Sequence, residues 1–391
     1  MISNVSIKNY KSVVDVSLPL GRFNLLIGAN GCGKSNILEG IALGAAASSD
    51  KLDYEYFANR GIRVVEPRFM LPAFEDVEAK KISIVLDNED KSTATFDIRY
   101  NEELKPAQWQ DDSVSADSFV SYVMEDSSKQ STLVNNMVDL IKKKKSDSNN
   151  PFANIRLKPI NDNVTIMVVD QNFSRFVIYS PEESKLREPN TSNRLYPMGR
   201  HGEGLFAYLK ALSQKTKGEE IFSEIKENLK VLDWFDDMEM PSGQLSMELD
   251  LKLKDSYLAE TLNTFDQRST NEGFLYLLFY LTLVISDETP QFFAIENIDT
   301  AFNPKLCREV IKRLNVLAKK RDKQIIATTH NPAVLDGLDL NDEEQKLMVV
   351  QRSIDGYTKV RTLKNKDVVK SDLPLSQLWL RGFIGGLPNN F

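Results

Sequence analysis

Eight consecutive residues, Gly28-Ala29-Asn30-Gly31-Cys32-Gly33-Lys34-Ser35, fit the pattern G-x-x-x-x-G-K-[ST]. Small residues in such a run let backbone N–H groups curl around phosphates at a helix N-terminus, where the helix dipole adds a favourable field. Asn30, Gly31, Cys32 and Gly33 would form that cradle, the Lys34 ammonium would reach the β- and γ-phosphates, and the Ser35 hydroxyl would ligate Mg²⁺. A chance match in a chain of this length is on the order of 1 in 100. The flanks lower it further. Phe23-Asn24-Leu25-Leu26-Ile27 reads as a strand running into the loop, and 35–47 reads as a helix with Ile37, Leu38, Ile41 and Leu43 on its apolar face.

A magnesium–triphosphate complex also needs a carboxylate at the end of a neighbouring strand. Phe292-Phe293-Ala294-Ile295-Glu296 supplies an apolar strand ending in an acid, followed by Asn297, Ile298 and Asp299. Alone, such an acid is an ordinary strand exit; beside a phosphate loop, Glu296 becomes the second metal ligand with Ser35. Gln324 to Thr328 reads as a further strand that closes in Thr329-His330-Asn331-Pro332. One of only two histidines thereby stands where the carboxyl ends of a parallel sheet converge on a ligand. Asn271-Glu272-Gly273 opens a long helix that ends shortly before the metal strand.

These residues need a scaffold to bring them together. The 391 residues are 41% hydrophobic and 27% charged, a globular composition long enough for two or three units or for one domain with a long insertion. The opening strands Val5–Ile7 and Val13–Val16, and a hairpin of Ile82–Leu86 with Thr93–Ile98, read as antiparallel. The alternation of helix 272–286, strand 292–295, helix 304–319 and strand 324–328 means a parallel sheet, and Met247 to Leu253 alternates as a half-buried strand. Between them the chain turns polar and proline-bearing and carries the run Lys142 to Lys145. The expected fold is α/β: an N-terminal antiparallel β subdomain and a parallel core sheet, interrupted by an inserted mixed α+β arm. The expected divisions are 1–100 for the first half of the head, 101–239 for the arm and 240–391 for the second half.

Charge and cysteine content exclude several classes. With 49 basic and 56 acidic residues the net charge is −7, which argues against a uniformly basic nucleic-acid coat. The tetralysine has two readings, a solvated loop and a phosphate contact, and both stay open. Cys32 and Cys307 are too few for a disulfide framework or a structural zinc site, so a reducing, cytoplasmic setting is expected. The N-terminal residues alternate as a strand rather than as a secretory leader, and the longest apolar stretch, 274–285, falls short of the roughly 20 residues of a membrane span. Arg200–Leu205 and Trp379–Gly386 are rich in glycine but carry no chemistry by themselves, and receive no role.

Taken together, these motifs resemble the ABC-type ATPase head of the SMC/RecF class, and within it the OLD-like and AbiEii-like bacterial ATPases. The resemblance covers roughly 1–100 and 240–391. Ile7–Ser12 and Leu26–Gly31 are similar to that class's N-terminal strands and Walker A motif, Asn271–Gly273 sits where its signature motif lies, Glu296–Asn303 resembles Walker B with the D-loop, and His330 matches the switch histidine. The resemblance implies an ATP- and Mg²⁺-dependent P-loop ATPase that forms a homodimer or higher oligomer around the nucleotide. Asn271 and Gly273 would face the opposing γ-phosphate, and Glu296, Asn297 and His330 would serve catalysis. It further implies an effector partner in trans, a nuclease or toxin, in anti-phage defence, with DNA as an added input and no membrane. The alternatives are a DNA-repair ATPase that binds DNA, an OLD-like nuclease with a further active site, and a scaffold that binds ATP without turnover. Two departures matter. The class usually carries Asp and then Glu where this chain has Glu296 and Asn297, and asparagine cannot accept a proton, so turnover is expected to be slow unless Asp299 or His330 compensates. The signature also lacks its serine, which leaves Asn271 as the side-chain donor.

Overall fold

A computed structural model describes residues 1–104, 106–115, 153–160, 163–188, 197–215, 217–240, 251–260, 264–365 and 373–387. The tetralysine run and Met247–Asp250 lie outside the described residues. Along the chain the strands are β1 (Ile2–Tyr10), β2 (Val13–Pro19), β3 (Phe23–Ile27), β4 (Ile82–Asn88), β5 (Thr93–Asn101), β6 (Gln108–Asp111), β7 (Val114–Ser115), β8 (Ala153–Ile160), β9 (Asn163–Asp170), β10 (Ile178–Tyr179), β11 (Phe235–Glu239), β12 (Lys252–Asp255), β13 (Thr264–Asp266), β14 (Phe292–Ile295), β15 (Gln324–Thr328), β16 (Gln345–Arg352) and β17 (Thr358–Leu363). The main helices are α1 (Lys34–Ser48), α2 (Leu205–Ser213), α3 (Gly218–Leu229), α4 (Glu272–Ile285), α5 (Pro304–Lys320) and α6 (Leu375–Leu380). They fall into two compact units, each drawing on three stretches of chain.

The first unit comprises Met1–Leu20, Asn30–Phe176 and Val350–Arg361. Its main sheet runs β2-β1-β4-β5-β6, antiparallel throughout. Tyr10 pairs with Val13, so the first turn is tight, and Lys11 takes it at φ 49°. The β4–β5 hairpin forms where the alternation places it, with Ile82 opposite Ile98 and Asp87 opposite Thr93. Helix α1 is buried from Ile37 to Ser48 rather than on one face alone. The cause is its run of small residues. A β-carbon at Gly40 would come within 3.0 Å of Ile7, and one at Gly44 within 2.9 Å of Ile84, so the missing side chains let the helix settle onto β1 and β4. A hairpin of β8 and β9 pairs with β7, and the fully buried Arg156 of β8 bonds the Ser113 hydroxyl at 2.8 Å and the Ser113 carbonyl at 2.9 Å.

The second unit comprises Gly21–Ala29, Val177–Val349 and Thr362–Phe391. Strands β14, β15, β3 and β16 lie side by side and parallel, with β10 beside β14. Every residue of β3, β14 and β15 is buried, as expected of parallel strands covered on both faces. The unit takes in the chain from Val177 onward, and β10 joins the sheet: Ile178 pairs with Ala294 and Tyr179 with Ile295. A two-residue strand has no periodicity to read, so only its partner reveals it.

Helix α4 starts at Asn271, whose side chain accepts a hydrogen bond from the Phe274 N–H at 2.9 Å, and every residue from Phe274 to Ile285 is buried. It is 14 residues long, and no helix among the described residues is long and apolar enough to cross a membrane. Helix α5 is capped the same way by Asn303 and buries Cys307, Val310, Ile311, Leu314 and Leu317 at three- and four-residue spacing. Its basic end does more than complement the dipole, because Lys320 and Arg321 both pair with Glu224 of α3.

Candidate functional site

The phosphate loop follows β3 directly, and its residues 30–35 belong to the first unit. Gly31 and Gly33 adopt φ of 73° and 108°, the left-handed region that favours glycine. At Gly33 the space is as restrictive as the angle, since a β-carbon would lie 2.1 Å from the Thr358 hydroxyl. Gly33 begins α1, whose first turn holds no acidic side chain to offset the positive end of the helix. Lys34 is 7% exposed, with its Nζ 3.8 Å from the Cys32 sulfur.

Two residues that no sequence motif marks hold the back of this loop. The Thr358 hydroxyl donates to the Cys32 carbonyl at 3.0 Å and stands 2.7 Å from the Ser12 hydroxyl, which accepts from the Asn36 side-chain amide at 2.7 Å. Because the amide can only donate and the carbonyl can only accept, the order is fixed: Asn36 to Ser12 to Thr358 to Cys32. The Arg352 guanidinium adds a bond to the Gly31 carbonyl at 2.9 Å. The Gly31 and Cys32 carbonyls are thus tied back. Thr358 is fully buried, so Thr358→Val would deprive the Cys32 carbonyl of this donor and the Ser12 O–H of its acceptor, at a cost of about 1–3 kcal/mol. We expect roughly tenfold weaker ATP binding from calorimetry, with Thr358→Ser close to wild type.

One turn beyond Asn36, the nearly buried Glu39 accepts from the Tyr10 hydroxyl at 2.9 Å and pairs with both Lys11 and Arg63, and Arg63 also donates to the Asn36 side chain at 2.9 Å. Burial lowers the Lys11 pKa, against the opposing pull of Glu39. A single glutamate in an alanine-rich helix carries no recognisable pattern; it gains meaning only when β1 is laid beside it.

In the second unit the strand registers align the other expected residues. Ile295 pairs with Ala327, Thr328 with Leu26, and Ile27 with Val349, so Gly28, Glu296 and His330 all leave the same carboxyl edge of the sheet. Glu296 donates its N–H to the Tyr179 carbonyl at 2.8 Å. Asn297 is exposed at φ 50°, a conformation asparagine tolerates, and its N–H bonds the Thr328 hydroxyl at 3.0 Å. His330 is exposed as well. Asp299 accepts from the Thr329 hydroxyl at 2.6 Å, which fixes the turn after Glu296 to the end of β15. The Cys307 thiol is pushed up to about 12 by burial, with the Asp299 charge adding to it, so it stays a protonated packing group.

The helix entrance at Asn271–Gly273 opens onto a cleft of about 520 Å³ that Trp234, Ala301, Asn303 and Lys305 also line. A β-carbon at Gly273 would stand 3.2 Å from the Ala301 carbonyl, and Ala301 itself is held at φ 68°. The Asn271 carbonyl oxygen is spent on the helix cap, which leaves its amide N–H₂ as the group able to donate outward. Asp233 and Glu272 also reach this cleft, so the field of the helix end is partly offset by carboxylates. Trp234 lies far from any motif in sequence, and only the fold assigns it here.

Among the described residues no group of three or more His, Cys, Asp or Glu side chains is placed to hold a metal ion. A triphosphate-bound Mg²⁺ does not require one, because it takes one or two protein oxygens and fills its shell with phosphate and water.

Known proteins share this architecture. The crystal structure of an SMC head bound to the C-terminal winged-helix domain of ScpA superposes with a TM-score of 0.54 at 16% identity, covering 93% of this chain and 98% of that one. An SMC head domain with an extended coiled coil, bound to the C-terminal domain of ScpA derived from Pyrococcus furiosus, gives 0.50 at 13% identity, covering 94% and 98%. At these identities the likeness establishes the fold, which is the ABC-type ATPase head. No curated protein matches the chain significantly. A family profile does match, over residues 23–336, a span that takes in the phosphate loop, the entrance of α4, Glu296 and His330; on that match the chain belongs to the AAA ATPase family described as "AAA domain, putative AbiEii toxin, Type IV TA system".

Proposed function

We propose that this chain is an ATP-driven switch: two copies close around ATP and Mg²⁺, and their closure is passed to an effector protein in trans. The observation that carries it is the shared carboxyl edge of β3, β14 and β15, from which the phosphate loop, Glu296 and His330 all emerge. In this reading Asn30 to Ser35 bind the phosphates, Ser35 and Glu296 hold Mg²⁺, Asn297 orients the attacking water, and His330 faces the terminal phosphate. ATP bound to one head leaves its γ-phosphate uncovered. The cleft at Asn271 and Gly273 of a second copy, with the N–H groups of the α4 entrance, is the surface suited to cover it. Nucleotide state then sets the closure of the pair. Binding of the SMC heads to ScpA supports the output half of this reading, since heads of this fold bind other chains. The effector is a nuclease or toxin acting in anti-phage defence.

Gly273→Arg tests the closure. The new side chain would project from a position already 3.2 Å from the Ala301 carbonyl and fill the cleft, while the phosphate loop stays untouched. Light scattering with ATP and Mg²⁺ is expected to show the wild type about doubling in mass and the variant remaining as it is without nucleotide, with equal ATP affinity by calorimetry. An assembly state that ignores ATP in both proteins would rule the sandwich out.

A further inference from the structure

Helix α4 buries two tyrosines one turn apart, and their hydroxyls fare differently. Tyr276 donates to the Pro181 carbonyl at 3.1 Å. Tyr280 is fully buried, and its hydroxyl has no hydrogen-bond partner. Burying a phenol in this way is unfavourable, and phenylalanine, which α4 carries at positions 274 and 279, would fill the same space without the penalty. The ring shows what the hydroxyl borders. It meets Phe302 edge-on with centroids 6.0 Å apart, and the Phe302 N–H donates to the Asp299 carbonyl at 3.2 Å. Burial raises the pKa of the phenol, and the nearby Asp299 charge adds to the effect.

The turn from Glu296 to Asn303 joins two places that the proposed function uses. Ala301 walls the cleft of α4, its carbonyl 3.2 Å from where a β-carbon of Gly273 would stand, and it is held at φ 68°, which strains a residue that has a β-carbon. Nearer the start of the turn, Asp299 accepts from the Thr329 hydroxyl at 2.6 Å, and Thr329 immediately precedes His330. Thr329 has a second acceptor within reach, the Asn331 carbonyl at 3.4 Å. A shift of the Asp299 carboxylate from Thr329 to Tyr280 would therefore leave neither donor orphaned, whereas the present arrangement orphans Tyr280. On the closure proposed above, on which this inference rests, the ATP of a second copy enters the cleft beside Ala301. We propose that its arrival drives that exchange: Asp299 releases Thr329, accepts from Tyr280, and so frees the segment that carries His330. Tyr280 acts through Asp299 and is a positioning residue.

The test uses the full chain. Tyr280→Phe removes an orphaned hydroxyl from the nucleotide-free protein, whose melting temperature is expected to stay level or rise. In the closed pair the same change removes a hydrogen bond to a carboxylate, which corresponds to roughly ten- to hundredfold in affinity, and a light-scattering dilution series with Mg·ATP is expected to show that loss. Thr329→Val removes the partner that Asp299 gives up, and is expected to move the pair the opposite way, toward tighter assembly. A phenol with a merely structural role would lower the melt and weaken the pair together, or move neither. Either of those results, or a Thr329→Val pair no tighter than the wild type, would overturn the exchange. Gly273→Arg separates the two levels. If the wild type assembles with ATP, that variant does not, and Tyr280→Phe pairs like the wild type, only the exchange falls; if the wild type ignores ATP, the closure itself fails.

Discussion

Lys34→Ala is expected to reduce ATP affinity at least a hundredfold while leaving the fold intact. Lys34 is 7% exposed and stands at the start of a helix whose first turn lacks acidic side chains, so its charge is concentrated on whatever occupies the loop. Each charge-assisted hydrogen bond it makes to a phosphate oxygen is worth about 1.5–3 kcal/mol, and two such bonds account for the loss. The structural role of the residue is small by comparison, because Gly31 and Cys32 are tied through their carbonyls to Arg352 and Thr358 rather than through Lys34. Calorimetric titration with Mg·ATP, paired with a thermal melt, measures both. Equal affinity in wild type and variant would remove the nucleotide reading.

Hydrolysis is expected to be slow, and Asn297→Glu to accelerate it at least tenfold. The position after the metal ligand carries an amide, and general-base help is typically worth about 10² to 10⁴ in rate. Part of that gain is offset by the backbone: Asn297 sits at φ 50°, where a glutamate is strained by about 1–2 kcal/mol. Single-turnover measurements with Mg·ATP compare the wild type, Asn297→Glu and Asn297→Ala, the last expected to fall about tenfold as water orientation is lost. The closed dimer should shorten in lifetime in step with the Glu variant. A fast wild type that is indifferent to Asn297→Ala would show that the water is positioned elsewhere.

The parts of the molecule that were readable along the chain are those whose signals are local. The phosphate loop is eight adjacent residues whose glycines and lysine have one common use, and β3 before it and α1 after it announce themselves by buried runs and helix formers. The hairpin β4–β5 follows from two-residue alternation, and the strands β14 and β15 from short apolar runs between helices. Local pattern also placed Asn271 at a helix start, and Asn271 is the N-cap.

Tertiary structure decided what has no local period. The two-residue strand β10 exists only through its pairing with β14, so nothing before Ile178 or after Tyr179 signals that these two residues join the parallel sheet. Thr358 and Ser12 stand 346 residues apart, yet their hydroxyls are 2.7 Å from each other behind the phosphate loop. A single threonine in a strand near the C-terminus has no property that marks it for this task. Gly386 is likewise one glycine among 18 until the fold sets it against Gly28. Sequence by itself singled out the residues proposed to bind a phosphate, because backbone dihedral freedom, charge and helix polarity are properties of neighbouring residues. Only the fold determined which residues hold that loop in place and which border it, because strand register and close packing act between residues that the chain keeps hundreds of positions apart.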